Sequence, residues 1–367
     1  MYSPVPLFSA KAANAGLDLI GPLQRVVDRH WYVLGEEVAR FEEQFAAYLN
    51  VTSCISVANG SDALELALRA LGIGPGSRVA LVANAGFYGS TAVHAVGATP
   101  EYVEVDAQTL TMSPDSLKDA LQRKPDAVIV THLFGQMASI EELTAIARDA
   151  GVPLIEDCAQ SHGARRDGRL AGSFGTLACF SFYPTKNLGA IGDGGAIVTS
   201  DAALDSTLRR LRQYGWTSKY HVDVPGGRNS RLDELQAAVL LAKLPHLDRW
   251  NAERRAIAQR YHTAFAGLDM QLPCSTGDDY VGHLYVVRVK DRTRFVQAMR
   301  ESGIGTDIHY PVPDHRQAAY PAQAALQMPV TEQACTEIVT LPCFPGLDHD
   351  SIERVIAAVQ AYFASLD

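Results

Sequence analysis

Residues 156–196, EDCAQSHGARRDGRLAGSFGTLACFSFYPTKNLGAIGDGGA, carry two side chains delivered by short apolar runs. The run 152–155 ends at Asp157. The run 178–183 delivers Ser181 and then Lys186 into a Gly-rich turn, five residues apart across Tyr183-Pro184. Of the seven lysines, only Lys186 follows an apolar strand and precedes a tight Gly-containing turn. A lysine shielded from water near a cationic ring has a lowered pKa, as a Schiff-base nucleophile requires. The ordinary alternative is a lysine closing a loop in solvent, and for Asp157 a strand-end turn residue or helix cap. Taken together, an acid for a ring nitrogen and an amine for a ring aldehyde are what pyridoxal phosphate (PLP) asks of a protein.

On the N-terminal side, strands and helices alternate. The patterning predicts strands at 79–82, 99–105, 127–133 and 153–157, with helices at 90–96, 117–123 and 140–150 between them. This βαβ rhythm predicts an α/β fold with a mainly parallel central sheet flanked by helices. Ligands in such sheets gather beyond the carboxyl ends of the strands, where Gly60-Ser61, Phe87-Tyr88, Asp157 and Ser181 fall. A strand at 55–58 turns through Asn59-Gly60-Ser61 into a helix at 62–71, a seat for a phosphate or a plain turn and cap. Ser181 could reach the same phosphate. Gln160 could hydrogen-bond the phenolic oxygen of the ring, and His162 could buttress Asp157 or Gln160 or be a satisfied core histidine. Phe87 and Tyr88 offer rings to stack on a pyridine face, although aromatic residues are more often simply core. The glycines at 72, 74, 76 and at 192, 194, 195 do not make a dinucleotide fingerprint, since neither set opens a helix after a strand in GxGxxG spacing.

Residues 17–50 show helical spacing broken at Gly35. Beyond Asp201 come a basic amphipathic segment, a polar loop at 221–230, and long helices at 231–244 and 247–265, separated at Pro245, the expected hinge. A strand (HLYVVRV), a helix at 294–302, the loop HYPVPDH and a final helix at 351–366 follow. The division expected is a large PLP-binding domain over 1–244 and a smaller C-terminal α/β domain over 245–367, with the N-terminal residues able to pack on the latter.

The 367 residues exceed what one small core organises. A net charge of −9 argues against a nucleic-acid binder. Six cysteines without a CxxC pair give neither a zinc site nor a disulfide framework, so no metal is expected. The N-terminus lacks the basic-then-apolar pattern of a signal peptide, and no apolar run is long enough to span a bilayer. A cytoplasmic protein without a membrane segment is the expectation.

Four segments, SFYPTKNLGAIGDGGAIVT, EDCAQSHGA, NGSDALELAL and GRNSRLDELQAAVLLAKL, resemble the signatures of the PLP-dependent nucleotide-sugar aminotransferases of the DegT/DnrJ type. The similarity runs from Leu34-Gly35 to LPCFPGL, nearly the whole chain. The resemblance implies a fold type I homodimer with its active site at the subunit interface, moving an amino group, from glutamate, to a keto carbon of a nucleotide-linked deoxysugar. It implies Lys186 as Schiff-base lysine and proton shuttle, Asp157 as partner of the ring nitrogen, and Gln160 as partner of the phenolic oxygen. Gly60, Ser61 and Ser181 would hold the phosphate, joined by Asn229 from the partner subunit, with His309 and Tyr310 near the sugar nucleotide. Many members carry an aromatic residue where this chain has Gly86, so stacking is assigned to Tyr88, with Phe87 second. A sugar dehydratase on the same fold would replace the lysine by histidine, which Lys186 argues against. A non-catalytic regulator would need an added DNA-binding segment, and none is seen. A cyclitol or other cyclic ketone as acceptor stays open.

Overall fold

Short apolar runs alternating with amphipathic helices build the frame of the protein, a computed structural model that describes residues 3–366. Seven strands form one sheet: Ser53–Val57, Arg78–Val82, Thr99–Val103, Ala127–Thr131, Leu154–Asp157, Leu177–Ser181 and Gly195–Thr199. Named by first residue, their order is Ser53, Gly195, Leu177, Leu154, Ala127, Arg78, Thr99. The central pairs are parallel, with Thr131 opposite Asp157 and Asp157 opposite Cys179. Gly195–Thr199 runs antiparallel to both its neighbours. The sequence reading contains no strand there, because GAIVT is a brief run emerging from a glycine cluster.

Alternation across the pleat explains why these strands read as unbroken apolar runs. Val79, Leu81, Ile129, Ile155, Cys179 and Ile197 point into one hydrophobic cluster. Their chain neighbours Ala80, Val82, Val128, Val130, Leu154, Ala178 and Val198 point into the other. Both faces are covered, so most strand positions are apolar, and buried exceptions such as Ser56 and Glu156 have hydrogen-bond partners. The helix Glu36–Leu49 lays Phe41 and Phe45 edge-on against Phe182, at centroid separations of 5.2 and 5.4 Å. Each such ring taken from water contributes about 1.5–3 kcal/mol. That helix starts under a distant cap: the Glu234 carboxylate accepts the N–H groups of Gly35, Glu37 and Val38 at 2.8–2.9 Å. A Cβ on Gly35 would stand 2.8 Å from that carboxylate, so glycine suits the cap position of this helix; the preceding helix, Ile20–Arg29, already ends before His30, upstream of the break expected at Gly35.

Pro245 makes no open linker. It lies in a single 3-10 turn, Leu244–His246, that joins the helices Glu234–Lys243 and Leu247–Phe265. Proline is tolerated there because a first-turn N–H lacks an intrahelical acceptor in any case. Beyond it, the strands Tyr285–Arg288 and Ile338–Leu341 pair antiparallel. With the helices Arg292–Glu301 and His349–Ala364 they enclose a third cluster, which includes Tyr261, Phe295, Val355 and also Val5. Val5 is tied to this part by backbone bonds with Gly303 and Gly305, both 2.8 Å. The helix Pro329–Glu337 and the strand after it are further elements that the sequence reading lacks. Among the described residues, no helix is long and apolar enough to cross a membrane.

Candidate active site

The sheet topology carries Asp157 and Ser181 to the same edge, because each is the last residue of a parallel strand. Asp157 is buried and held by two donors, Thr131 Oγ1 at 3.3 Å and the Ala159 N–H at 3.1 Å. Burial pushes its carboxyl above the ordinary value, while Ala159, Lys186, His132 and Thr131 pull the other way. A cationic N–H brought to its open side would favour the ionised form.

Its chain neighbour Glu156 faces the opposite cluster and serves the scaffold. Its oxygens accept from His132 Nε2 (3.0 Å), Gly172 N (2.8 Å), Phe174 N (2.7 Å) and Gly175 N (2.7 Å). Burial opposes ionisation here too, yet His132 and these amides hold the carboxyl below its usual range. His132, Glu156 and Cys158 lie close enough together to suggest a metal site. However, His132 Nδ1 accepts the Ala138 N–H, so Nε2 carries the proton that goes to Glu156, and burial keeps the Cys158 thiol protonated. That donor set is satisfied within the protein.

Lys186 enters from the turn after Ser181. Its N–H bonds Tyr183 O at 2.8 Å, and Lys243 Nζ donates to Gly189 O at 2.7 Å. Asn187, next in the chain, donates to Asn251 and Val281 and pairs with His283 at 3.0 Å. These bonds fix the backbone on both sides of the lysine. Burial lowers the Lys186 amine to about 8, with the nearby Asp157 charge opposing. A sizeable neutral fraction is thus present in mildly alkaline solution, as a nucleophilic amine requires.

Gln160 is buried between two partners, accepting from Phe134 N at 2.6 Å and donating to Tyr310 Oη at 3.1 Å. Tyr310 in turn meets Tyr88 edge-on, at 5.9 Å between centroids. His309 Nδ1 lies 2.8 Å from Thr340 Oγ1, and burial lowers its pKa, with the Lys186 charge acting in the same sense and Asp307 against it. Asp157, Lys186, Gln160, His309, Tyr310 and Tyr88 therefore form one group. Phe87 is turned elsewhere and stacks with Tyr320 (5.1 Å) and His94 (6.0 Å). His162 is buried against Phe180 and Phe182. Burial, with the Lys186 charge and against a backbone bond at Ser181, lowers this imidazole to about 3, so it stays neutral.

Gly60 opens the helix Gly60–Ala70, with Asn59 Oδ1 capping Asp62 N at 2.8 Å. The N–H groups of Gly60 and Ser61 have no intrahelical acceptor. A Cβ on Gly60 would lie 2.7 Å from Ser181 Cβ, so the glycine lets the helix start close against the serine. Asn229 is exposed beside Ser230, whose hydroxyl accepts from Ala58 N at 3.1 Å. His283, Thr340 and Thr131 join the site without having been singled out in the sequence. Thr131 ends an apolar strand as Asp157 does, which is a usable signal; the other two lie in distant segments with no local signature.

The fold and this cluster define an aminotransferase. The chain belongs to the DegT/DnrJ/EryC1/StrS aminotransferase family, whose model matches residues 16–360. It is similar to the dTDP-3-amino-3,6-dideoxy-alpha-D-galactopyranose transaminase of Aneurinibacillus thermoaerophilus, 45% identical over 93% of this chain and 94% of that one. It is also similar to the dTDP-3-amino-3,4,6-trideoxy-alpha-D-glucose transaminase of Micromonospora megalomicea, 41% identical over 95% and 96%. Among solved structures, S. venezuelae DesV in complex with a ketimine intermediate superposes with a TM-score of 0.96 at 41% identity, covering 100% of both chains.

Proposed function

We propose that this aminotransferase uses PLP to move an amino group from glutamate to the keto carbon of a nucleotide-linked deoxysugar. The observation that carries the reading is the approach of Lys186 to Asp157, close enough for each charge to bear on the other's proton affinity. The donor set fits the cofactor. The first-turn amides of Gly60 and Ser61 with the Ser181 hydroxyl suit a phosphate at a helix N-terminus, and the close Gly60–Ser181 approach supports that cradle. The Asp157 carboxylate, ionised once a cationic ring N–H stands beside it, suits a protonated ring nitrogen, and the Gln160 amide suits the phenolic oxygen. When bound, PLP supplies an electron sink for charge developing at the amine-bearing carbon. Lys186 Nζ takes a proton from that carbon and returns one, as general base and then acid. Asp157 keeps the ring nitrogen protonated throughout. His309 and Tyr310 line the side from which the acceptor enters.

Two named relatives are transaminases of dTDP-linked 3-aminosugars, which supports a dTDP-linked acceptor with its keto group at ring carbon 3. Asn229 is assigned to the cofactor of a partner subunit. Its exposure supports this, as do uncovered apolar side chains such as Ile20 (72% exposed), Trp31 (63%) and Tyr220 (75%), which suit burial against a second copy. The third hydrophobic cluster supports 245–367 as a small domain beside a large one over 1–244, with the N-terminal Val5 packed on the small one. The reading is tested by converting the PLP-loaded protein with glutamate and then offering dTDP- and UDP-linked 3-keto and 4-keto sugars. Recovery of the aldehyde absorbance with the dTDP-linked 3-keto sugar is expected. No recovery with any nucleotide-linked ketone would overturn the assignment.

A further inference from the structure

The loop that carries His309 and Tyr310 is fastened by one buried acid to the turn and helix that follow the strand Arg78–Val82. Asp314 accepts the Phe87 N–H through Oδ1 at 3.0 Å and the Ser90 hydroxyl through Oδ2 at 2.6 Å. Its own N–H bonds Ala83 O at 2.7 Å. The helix Tyr88–Ala95 has no side-chain cap from its own N-cap residue, Phe87, so a carboxylate from a remote segment supplies it. Phe87 is held there at φ +68, a left-handed conformation costly for a bulky residue. The same loop docks a second time, through Tyr320, which stacks on His94 at 3.9 Å and on Phe87 at 5.1 Å.

Between these two fastenings and Asp157 stand the rings that line the acceptor side. Tyr310 lies over Gly86, where a Cβ would come within 2.9 Å of three ring carbons, and Tyr88 meets it edge-on. Asp314 bonds the residue immediately before Tyr88 and lies four residues after Tyr310, so one side chain sets both rings. We propose that Asp314 is a positioning residue that fixes Tyr88 against Tyr310 and so shapes the acceptor side of the site; this rests on the acceptor reading of Tyr310 above. A cap alone would be met by serine or asparagine without burying a charge. Asp314 has no ion-pair partner among the described residues, and the ionisable groups that feel its charge are Tyr102 and Cys335. Burial accordingly pushes its carboxyl up to about 7.

The test separates the two half-reactions of the holoenzyme. Asp314→Ala is expected to raise KM for the keto-sugar about tenfold, the weight of a lost bond to a charged group. The glutamate half-reaction should lose less, about threefold at most, because Tyr88 is also assigned to the cofactor ring that serves both halves while the bulkier acceptor makes the greater use of the two rings. Asp314→Asn, which keeps one acceptor oxygen, should recover most of the loss. Equal loss in both half-reactions, no change in either, or failure of asparagine to rescue would overturn the proposal. If Asp314→Ala does not fold, Ser90→Ala removes one of the two bonds and should raise the same KM by a smaller factor; no rise would count against the role. A readout independent of any acceptor is the fluorine NMR signal of Tyr310 in 3-fluorotyrosine-labelled protein, assigned with Tyr310→Phe. It should move in Asp314→Ala and stay in Asp314→Asn, and an unmoved signal in the alanine variant overturns the proposal even if no sugar is ever turned over.

Discussion

Thr131 and Asp157 are register partners on adjacent parallel strands, and their side chains meet at 3.3 Å on the edge where the site opens. The hydroxyl is therefore part of what decides how readily Asp157 ionises. Thr131→Val keeps the shape and removes one bond to a charged acceptor, a change of ~1.5–3 kcal/mol at most. Turnover should fall by about tenfold and the acid limb of the pH–rate profile should move upward, since the carboxylate loses a stabilising donor. Asp157→Ala should retain PLP absorbance but lose at least ~100-fold in turnover, in the range seen when a preorganised charge is removed. Full activity in Asp157→Ala would remove its assigned role.

With its amine near 8, Lys186 is largely protonated at pH 6.5 and largely free at pH 9.5. Uptake of PLP, followed by absorbance under stopped flow, should accelerate as pH rises through 8 and then level off. Borohydride reduction should leave the pyridoxyl group on a Lys186 peptide. A label on another lysine, or a rate that falls with rising pH, would contradict the assignment.

Because a Cβ at position 60 would meet Ser181 Cβ at 2.7 Å, Gly60→Ala must part the helix start from the serine. PLP should bind at least ~10-fold more weakly, the ~1.4 kcal/mol of one misplaced phosphate contact. The far-ultraviolet dichroism should stay that of the parent, since the helix gains a better former. Unchanged affinity by equilibrium dialysis would refute the cradle.

Asn229 is expected to act across a dimer. Lys186→Ala and Asn229→Ala chains, each inactive alone, should regain about a quarter of parent activity when mixed, since a random mixed dimer carries one intact site. Demonstrated mixed dimers with no recovery would count against a shared site.

Glu234 caps the Glu36–Leu49 helix through three N–H groups. Glu234→Ala leaves those donors buried without an acceptor and should cost at least ~2 kcal/mol, read as a lower urea midpoint.

The strands around Asp157 were legible because both faces of the sheet are covered, which writes each as an unbroken apolar run. Asp157, Ser181 and Lys186 inherited that legibility, since strand ends mark where they open. Gly195–Thr199 left little trace, because it is a brief run after a glycine cluster and one of its two partners, Ser53–Val57, lies far away in the chain. The clasp at Asp314 and the Asn187–His283 pair join segments that share no local pattern. Phe87 and Tyr88 look interchangeable as neighbours, but the left-handed backbone at Phe87 sends their rings in different directions.

The antiparallel strand at Gly195–Thr199 has a consequence for biosynthesis. Among the described residues Ser53–Val57 pairs with no other strand, so the first strand of the sheet to leave the ribosome must wait for the last one before its backbone finds a neighbour. Until then a nascent chain exposes two raw borders, at Ser53 and at Leu177, each able to recruit a foreign β segment. Arrival of Gly195–Thr199 gives both strands their missing neighbour in a single event and leaves Ser53–Val57 as an outer strand, so a chain stalled short of that point is expected to be a stronger target for chaperones than one extended past it.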